Sequence, residues 1–324
     1  MYNAKQSKVD NLEVVELEDN RNSIKAKIAL NLGNTLYELS VNQENILYFP
    51  ASLHEYSSSK SLHGNPFLYP WANRLEGDYF YFQNKLYDFQ KNPLIFRDKN
   101  GFPLHGLLLK SPYWKTSKLY HSNSEGAIHV ASLDFAVHPE LMEVFPFKHT
   151  IEMIHTLKDG KITIQVVVKN TGTTDMPVSF GFHPYFSISS SERKDSFVTL
   201  PVQTEWELNS NLLPTGKQKG FWNKGNKFRL GDLFLDFCYG DFWEQEDGYS
   251  HFLIETKNRV VEINFGGSYK TAVVFAPLEK PFVCIEPMTS PTNGINLYHK
   301  GLWKRLPIIK PGEFFQAEFS IKIK

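Results

Sequence analysis

"KITIQVVVKN", residues 161–170, decides the fold class. Ile162, Ile164, Val166 and Val168 fall on one side of an extended chain, and Lys161, Thr163, Gln165 and Lys169 on the other. Only a strand alternates its side chains with period two, so this stretch reads as a half-buried β-strand. Immediately upstream, Asp159-Gly160 separates it from "HTIEMIHTL" (149–157) with a hairpin signal, because glycine tolerates positive φ. The alternation returns in "FFQAEFSIKIK" (314–324), where Phe315, Ala317, Phe319, Ile321 and Ile323 share a face. It returns again in "NRVVEINFGG" (258–267), through Val261, Ile263 and Phe265.

Turn residues punctuate these runs at Gly33-Asn34, Asn100-Gly101, Gly266-Gly267 and Pro311-Gly312. No window carries a long, capped amphipathic helix, and a short helical turn fits only near "ASLHEYSSSK" (51–60). No repeat and no Pro/Gly/Ser linker divides the chain, so one domain over residues 1–324 is expected. Many strands with turns between them predict an all-β fold of packed antiparallel sheets.

Lys+Arg and Asp+Glu both number 35, which leaves no electrostatic footprint for nucleic acid or an anionic membrane. Aromatics make up 15% of the chain, suiting both strands and the flat apolar faces of sugar rings. Cys238 and Cys284 are the only cysteines, too few for a disulfide framework or a metal cluster. The polar N-terminus lacks an apolar core of signal-peptide length, and no apolar run reaches the ~18–20 residues of a membrane span. A soluble cytoplasmic protein is the expectation.

Four stretches are too polar or too constrained for ordinary strands. "NPFLYPWANRLEGDYFYF" (65–82) sets Asn73-Arg74 among aromatics, where a guanidinium offers a fork of donors to hydroxyls or a carboxylate. An arginine lying over an apolar surface fits the same pattern. "NGFPLHGLLLK" (100–110) sets His105 beside Gly106, which permits close approach of backbone or ligand.

"VSFGFHPYFSI" (178–188) sets His183 before Pro184 and Tyr185. Proline biases the preceding residue toward extended geometry and removes a donor from the ladder. His183 therefore falls where regular pairing stops, with Tyr185 and Phe186 able to wall one side. "PFVCIEPMTSPTNGIN" (281–296) ends an apolar run on Glu286. A carboxylate there is costly unless partnered, and burial raises its pKa toward the range of a general base. No HExxH spacing, Gly-rich phosphate loop or G-x-S-x-G elbow is present.

Taken in order, these segments resemble the aldose 1-epimerase (galactose mutarotase) family. "NRLEGDYFYFQNKLYDF" (73–89), "LHGLL" (104–108), "FPFKHTIEMIHTL" (145–157) and "FGFHPYF" (180–186) match its Asn-Arg, His-Gly, Phe-Pro-Phe and His-x-Tyr-Phe segments. "LLPTG" (212–216), "LFLDFCY" (233–239) and "VCIEPMTSPTNGIN" (283–296) match its Leu-Pro-Thr-Gly, Asp and Glu-Pro segments. Three positions depart from it: Phe182 stands where many members have Asn, Pro184 is a variant of its more divergent branches, and Met288 stands where many have Gln.

The resemblance implies a large antiparallel β-sandwich, the galactose mutarotase-like supersandwich, with the sugar on a concave face. It implies that His183 is the general acid and Glu286 the general base of α/β anomer interconversion in a free aldohexose such as glucose or galactose. It implies substrate-binding roles for Asn73, Arg74, His105, Tyr185 and Asp236. A nearby carboxylate is expected to hold His183 protonated. No cofactor or metal is expected, since ring opening moves only protons. The expected partner is a small-molecule sugar, with the chain a monomer or homodimer. Two alternatives stand beside this reading: a hexose-6-phosphate mutarotase of the same fold, needing further cations such as Arg97 and Lys99, or a carbohydrate-binding module without turnover.

Overall fold

The strand read over residues 161–170 lies inside a nine-stranded antiparallel sheet of the computed structural model, which describes residues 1–90, 92–221, 226–278 and 280–324. The chain starts with β1 (Tyr2–Val9), β2 (Leu12–Asp19), β3 (Ile24–Ala29), β4 (Thr35–Val41) and β5 (Glu44–Asn45), which form a five-stranded meander. The helix α1 (Leu53–Ser58), the short β6 (Phe67–Leu68) and the hairpin β7 (Tyr79–Phe82) and β8 (Lys85–Asp88) follow. Next come β9 (Lys115–Ser122), β10 (Gly126–Asp134), α2 (Pro139–Val144), β11 (His149–Lys158) and β12 (Lys161–Asn170).

After β13 (Met176–Pro177), the strands β14 (Gly181–Phe182) and β15 (Tyr185–Ser187) flank the His183-Pro184 dipeptide. Then come α3 (Ser190–Arg193), β16 (Phe197–Thr199), β17 (Val202–Leu208), β18 (Pro214–Gly220) and β19 (Lys227–Arg229). The long strands β20 (Leu235–Phe242), β21 (Tyr249–Glu255), β22 (Val260–Gly266), β23 (Thr271–Ala276) and β24 (Phe282–Met288) are followed by α4 (Gly294–His299), β25 (Ile308–Ile309) and β26 (Phe314–Ile323).

Two large sheets carry the architecture. One runs β19-β16-β21-β22-β26-β12-β11-β10-β9. The other runs β18-β17-β20-β23-β24-β14-β6, with β15 also paired to β24. The period-two readings hold: Ile162, Ile164, Val166 and Val168 are at most 1% exposed, and Ala317, Phe319 and Ile321 of the neighbouring β26 are buried beside them. Asp159 and Gly160 turn the β11–β12 hairpin, both with positive φ (49° and 76°), as a two-residue hairpin loop of this kind requires.

The N-terminal meander is not announced by alternation. In β2, Val15 and Leu17 enter the main core, whereas Val14 turns the other way to pack with Ala29, Leu32, Leu53 and Tyr56. A strand buried on both faces has no polar side to reveal its period. The expected helical turn exists as α1. Its Ser52 Oγ accepts from the Glu55 N–H at 3.2 Å, and a Glu55 carboxylate oxygen accepts from the Ser52 N–H at 2.9 Å. Among the described residues, no helix is long and apolar enough to cross a membrane.

Candidate active site

The face of the second large sheet that turns away from the main core is set by register. Asp236 of β20 lies opposite Phe275 of β23, and Phe275 lies opposite Cys284 of β24. One row along, Cys238 faces Val273, and Val273 faces Glu286. Alternation sends Val283 and Ile285 into the core and leaves Cys284 and Glu286 on the opposite face. Glu286 was expected at the end of its strand. Instead β24 runs on to Met288, and Glu286 sits within it at 1% exposure.

The break at His183-Pro184 preserves register across it. Gly181 pairs with Met288, and Tyr185 pairs with Cys284. Counting inward from both ends brings His183 opposite Glu286, where cross-strand side chains meet. His183 Nε2 lies 3.3 Å from Glu286 Oε1. The interrupted strand is held from its other side: the His183 N–H donates to Pro66 O at 3.1 Å, and the Tyr185 N–H to Gly64 O at 2.8 Å. The Tyr185 ring stacks on the imidazole, with centroids 4.4 Å apart and planes 6° apart.

All seven residues nominated from the sequence line one cavity of about 250 Å³, together with Lys60, Leu62 and Phe96 at its wall. Two of the seven adopt positive φ. Asn73 (φ 58°) and His105 (φ 64°) are joined by a hydrogen bond from the His105 N–H to Asn73 O at 2.9 Å. Gly106 (φ 71°) has no alternative, because a Cβ there would lie 2.1 Å from the Tyr69 carbonyl oxygen. The His105 ring meets His183 edge-on at 5.4 Å.

Arg74 is fixed by Asn73 and by two residues the sequence reading did not nominate, Asp98 and Asn293. Its Nε donates to Asp98 Oδ2 at 2.7 Å, and one Nη donates to the Asn73 side-chain oxygen at 3.0 Å. Asp98 also accepts the N–H groups of Asn100 at 2.9 Å and Phe102 at 3.0 Å. Asn293 donates its backbone N–H to Arg74 O at 2.9 Å, and its side-chain oxygen accepts from the Glu76 N–H and from Asn296. The signal for Asp98 was present in "FRDKNGFP" (96–103): an aspartate two residues before an Asn-Gly turn. That pattern reads as a turn, and nothing local shows which distant arginine it meets.

The electrostatics are governed by burial. Desolvation raises Glu286 well above the ordinary carboxylate range; the charge of Asp236 pushes the same way, while Arg74 opposes it. Burial raises Asp236 too, with Arg74 and Lys99 opposing. Burial lowers His183 to about 3 and His105 well below the usual imidazole value. The expectation that a carboxylate holds His183 protonated meets the opposite direction: burial lowers the imidazole and raises the Glu286 carboxyl, and both directions favour a carboxylic acid beside a neutral imidazole. Among the described residues, His183 Nδ1, His105 Nδ1 and Glu286 Oε2 are buried and have no hydrogen-bond partner. Among the described residues, no group of three or more His, Cys, Asp or Glu side chains is arranged to hold a metal.

Two of the departures from the family pattern, Phe182 and Met288, are not among the residues that line the cavity. Phe182 packs in the core against Phe67 and Phe319, with ring centroids 5.0 and 4.9 Å away, and Met288 is fully buried. Of the cations weighed for a phosphate, Arg97 is engaged by Asp78 at 2.6 Å and by the Gly101 carbonyl at 2.9 Å.

An all-β sandwich with this cavity on the open face of one sheet is the galactose mutarotase-like fold. The aldose 1-epimerase family model matches residues 13–322, and the chain belongs to that family. Solved structures agree in fold. A galactose mutarotase-like protein from Clostridium acetobutylicum superposes with a TM-score of 0.87 at 21% identity, covering 99% of this chain and 98% of that one. The galactose 1-epimerase of Lactobacillus acidophilus NCFM gives 0.77 at 14% identity, covering 100% and 98%. An aldose epimerase homologue from C. elegans gives 0.70 at 16% identity, covering 94% and 96%.

Proposed function

We propose that the chain is an aldose 1-epimerase that interconverts the α and β anomers of a free aldohexose at the cavity holding His183 and Glu286. The observation that carries this reading is the pair itself: two titratable side chains in cross-strand register, 3.3 Å apart, both buried, at the floor of a ring-sized cavity. Within the cavity, His183, His105 and Glu286 each carry a buried polar atom that a sugar hydroxyl can satisfy.

Ring opening needs a base for the C1 hydroxyl proton and an acid for the ring oxygen; closure on the other face reverses the two. The pair supplies both functions with a single proton. In the empty cavity that proton rests on Glu286. Its transfer to His183 Nε2 makes Glu286 the base and His183 the acid. Sugar hydroxyls and the Arg74 charge around the carboxylate favour that transfer. Arg74, His105 and Asp236 then hold hydroxyls so that C1 meets the pair, while Asn73 fixes Arg74 and Tyr185 fixes the imidazole plane. A binding module has no need of a buried, proton-sharing pair. A phosphorylated sugar needs free cations, and the exposed Lys60 at the cavity wall supplies one.

Polarimetry of freshly dissolved α-glucose, α-galactose and α-glucose 6-phosphate tests the proposal. Acceleration of a free sugar is expected, and Glu286→Gln is expected to lower it by at least ~10²-fold while retaining binding. Sugar binding without acceleration would replace the epimerase with a binding module. A preference for glucose 6-phosphate would replace the free sugar with its phosphate ester.

A further inference from the structure

Two walls of the His183–Glu286 cavity come from separate segments of the chain. Leu104 and His105 belong to one, and Lys60 and Leu62, which follow α1, to the other. The second wall is thinly held. Its ends are tied, with the Ser59 N–H donating to Glu55 O and Tyr56 O and the Gly64 N–H to Tyr48 O. Between them, among the described residues, no backbone–backbone hydrogen bond involves residues 60–63. Yet this stretch touches the site: Leu62 packs against the cluster of Tyr185, Phe282 and Cys284, and the His63 ring meets the Tyr185 ring edge-on at 6.0 Å.

One side chain reaches from the first wall to the second. Lys110 continues the loop of His105, which is fixed by the Leu107 N–H donating to Tyr69 O at 2.6 Å and by Ser111 O accepting from the Gly33 N–H at 3.0 Å. Its ammonium donates to Tyr56 O and Ser59 O, both at 2.6 Å, and lies 4.0 Å from the centroid of the Tyr56 ring. It thereby takes up carbonyls at the end of α1, where the second wall begins. We infer that Lys110 is a positioning residue that clamps the two walls of the cavity together, and that its charge sets the alkaline limit of sugar binding there. The inference rests on the reading of the cavity as a sugar site.

The surroundings of Lys110 leave its charge exposed to change. It lines a cavity of about 280 Å³ with Lys60 and Tyr113, and among the described residues there none is acidic. Tyr56 faces the ammonium from α1, and burial raises its hydroxyl, so it brings no charge. His63, on the second wall, is lowered by burial and by the Lys110 charge. No carboxylate offsets the cost of burying the ammonium, and burial lowers Lys110 to about 8. Charge-assisted hydrogen bonds are roughly twice as strong as neutral ones. Below about pH 8 the ammonium therefore holds the walls together. Above it the amine keeps two hydrogens without the charge, and the grip on α1 slackens.

The test is the pH dependence of KM for glucose and galactose, with the spontaneous rate subtracted. In the wild type KM is expected to be level around pH 7 and to rise ~3–10-fold by about pH 9.5. Lys110→Arg, which stays charged, is expected to abolish that rise and keep the wild-type KM at about pH 7. Lys110→Met is expected to show the raised KM already at about pH 7, with kcat within about twofold. The inference is overturned if Lys110→Arg keeps the rise, or if Lys110→Met has the wild-type KM, whatever either does to the melting temperature. Should Lys110→Met not fold, the Lys110→Arg profile decides alone. Calorimetric titration of the same sugars at the two pH values separates this failure from that of the epimerase reading. Affinity that falls in the wild type and not in Lys110→Arg, with no accelerated mutarotation, sinks the epimerase and keeps the clamp. Absence of sugar binding at both pH values overturns both.

Discussion

Asp98 shows what a single side chain does at a distance from the reacting atoms. With Asn73 it occupies two of the donor nitrogens of Arg74, so the remaining Nη is aimed rather than free to swing. Although burial alone would raise its pKa, hydrogen bonds from Arg74, Phe102 and Asn100 hold Asp98 below the ordinary carboxylate value, so it is charged at neutral pH. Asp98→Asn keeps an oxygen for the turn and removes the charge that orients the guanidinium. Loss of a charge-assisted hydrogen bond of ~1.5–3 kcal/mol predicts a fall of ~10–100-fold in kcat/KM, chiefly through KM. Steady-state kinetics alongside a melting curve check this; a lowered melting temperature with unchanged kinetics would make Asp98 a turn residue only. Six of the seven nominated residues were legible because unusual neighbours marked them: proline after His183 and Glu286, glycine after His105, aromatics around Asn73-Arg74, and Tyr185 beside His183-Pro184; Asp236 came only through the family resemblance. Asp98 and Asn293 carry no such mark, because their partners lie far away in sequence.

At the scale of strands, the decisive feature is that β14 and β15 stay in register across Pro184. Gly181 is the hinge of that arrangement. A Cβ at this position would lie 2.6 Å from Pro287 O and 2.8 Å from the Met288 side chain, so the two strands approach more closely than any other residue permits. Gly181→Ala forces β14 away from β24 and is expected to cost ~1–3 kcal/mol of stability, in the range of other overpacking changes. It should also lower turnover per folded molecule, because His183 moves with the strand. Denaturant unfolding and active-site-normalised rates measure the two effects, and an unchanged denaturation midpoint would show that the strands part without cost. The interruption at His183 was readable from proline chemistry. Its register was not, since register depends on which strand lies opposite. The N-terminal meander was unreadable for another reason: β2 buries both of its faces, so the alternation that exposed β12 and β26 is absent.

Across the whole molecule, the fold takes six of its eleven histidines wholly or partly out of water. Burial lowers His129 and His149 to about 4, His183 to about 3, His105 and His155 well below the usual value, and His63 to a lesser degree. His149 is satisfied as a neutral ring, with Nδ1–H donating to Phe147 O at 2.7 Å and Nε2 accepting from Tyr69 OH at 2.6 Å. An unfolded histidine titrates near 6.5, so between about pH 6.5 and 4 the unfolded chain binds protons that the native chain refuses. Stability is therefore full above that window and falls as pH drops through it, by up to ~1.4 kcal/mol per pH unit for each such ring. Glu286 and Asp236, raised by burial, act with the opposite sign but are two groups against six. The denaturation midpoint should drop between pH 7 and pH 5; a constant midpoint would mean that these rings take up protons without unfolding. The all-β architecture was legible at this scale from three alternating strands and the turns between them. The packing of three sheets against one another was not, because alternation shows that a face is buried and not what buries it.

The placement of Glu286 within an interior strand, and of His183 at the break between two strands paired to it, also governs how activity is lost on heating. A pair carried on loops fails when the loops loosen, well below the melting transition. Here the amides flanking the pair belong to the ladder between β24, β23 and β15, so opening the pair means opening the sheet. Thermal inactivation and calorimetric unfolding should then superpose. The amides of Val273, Val274 and Ile285 should exchange with deuterium only through global opening, at the rate that also limits the shelf life of the activity.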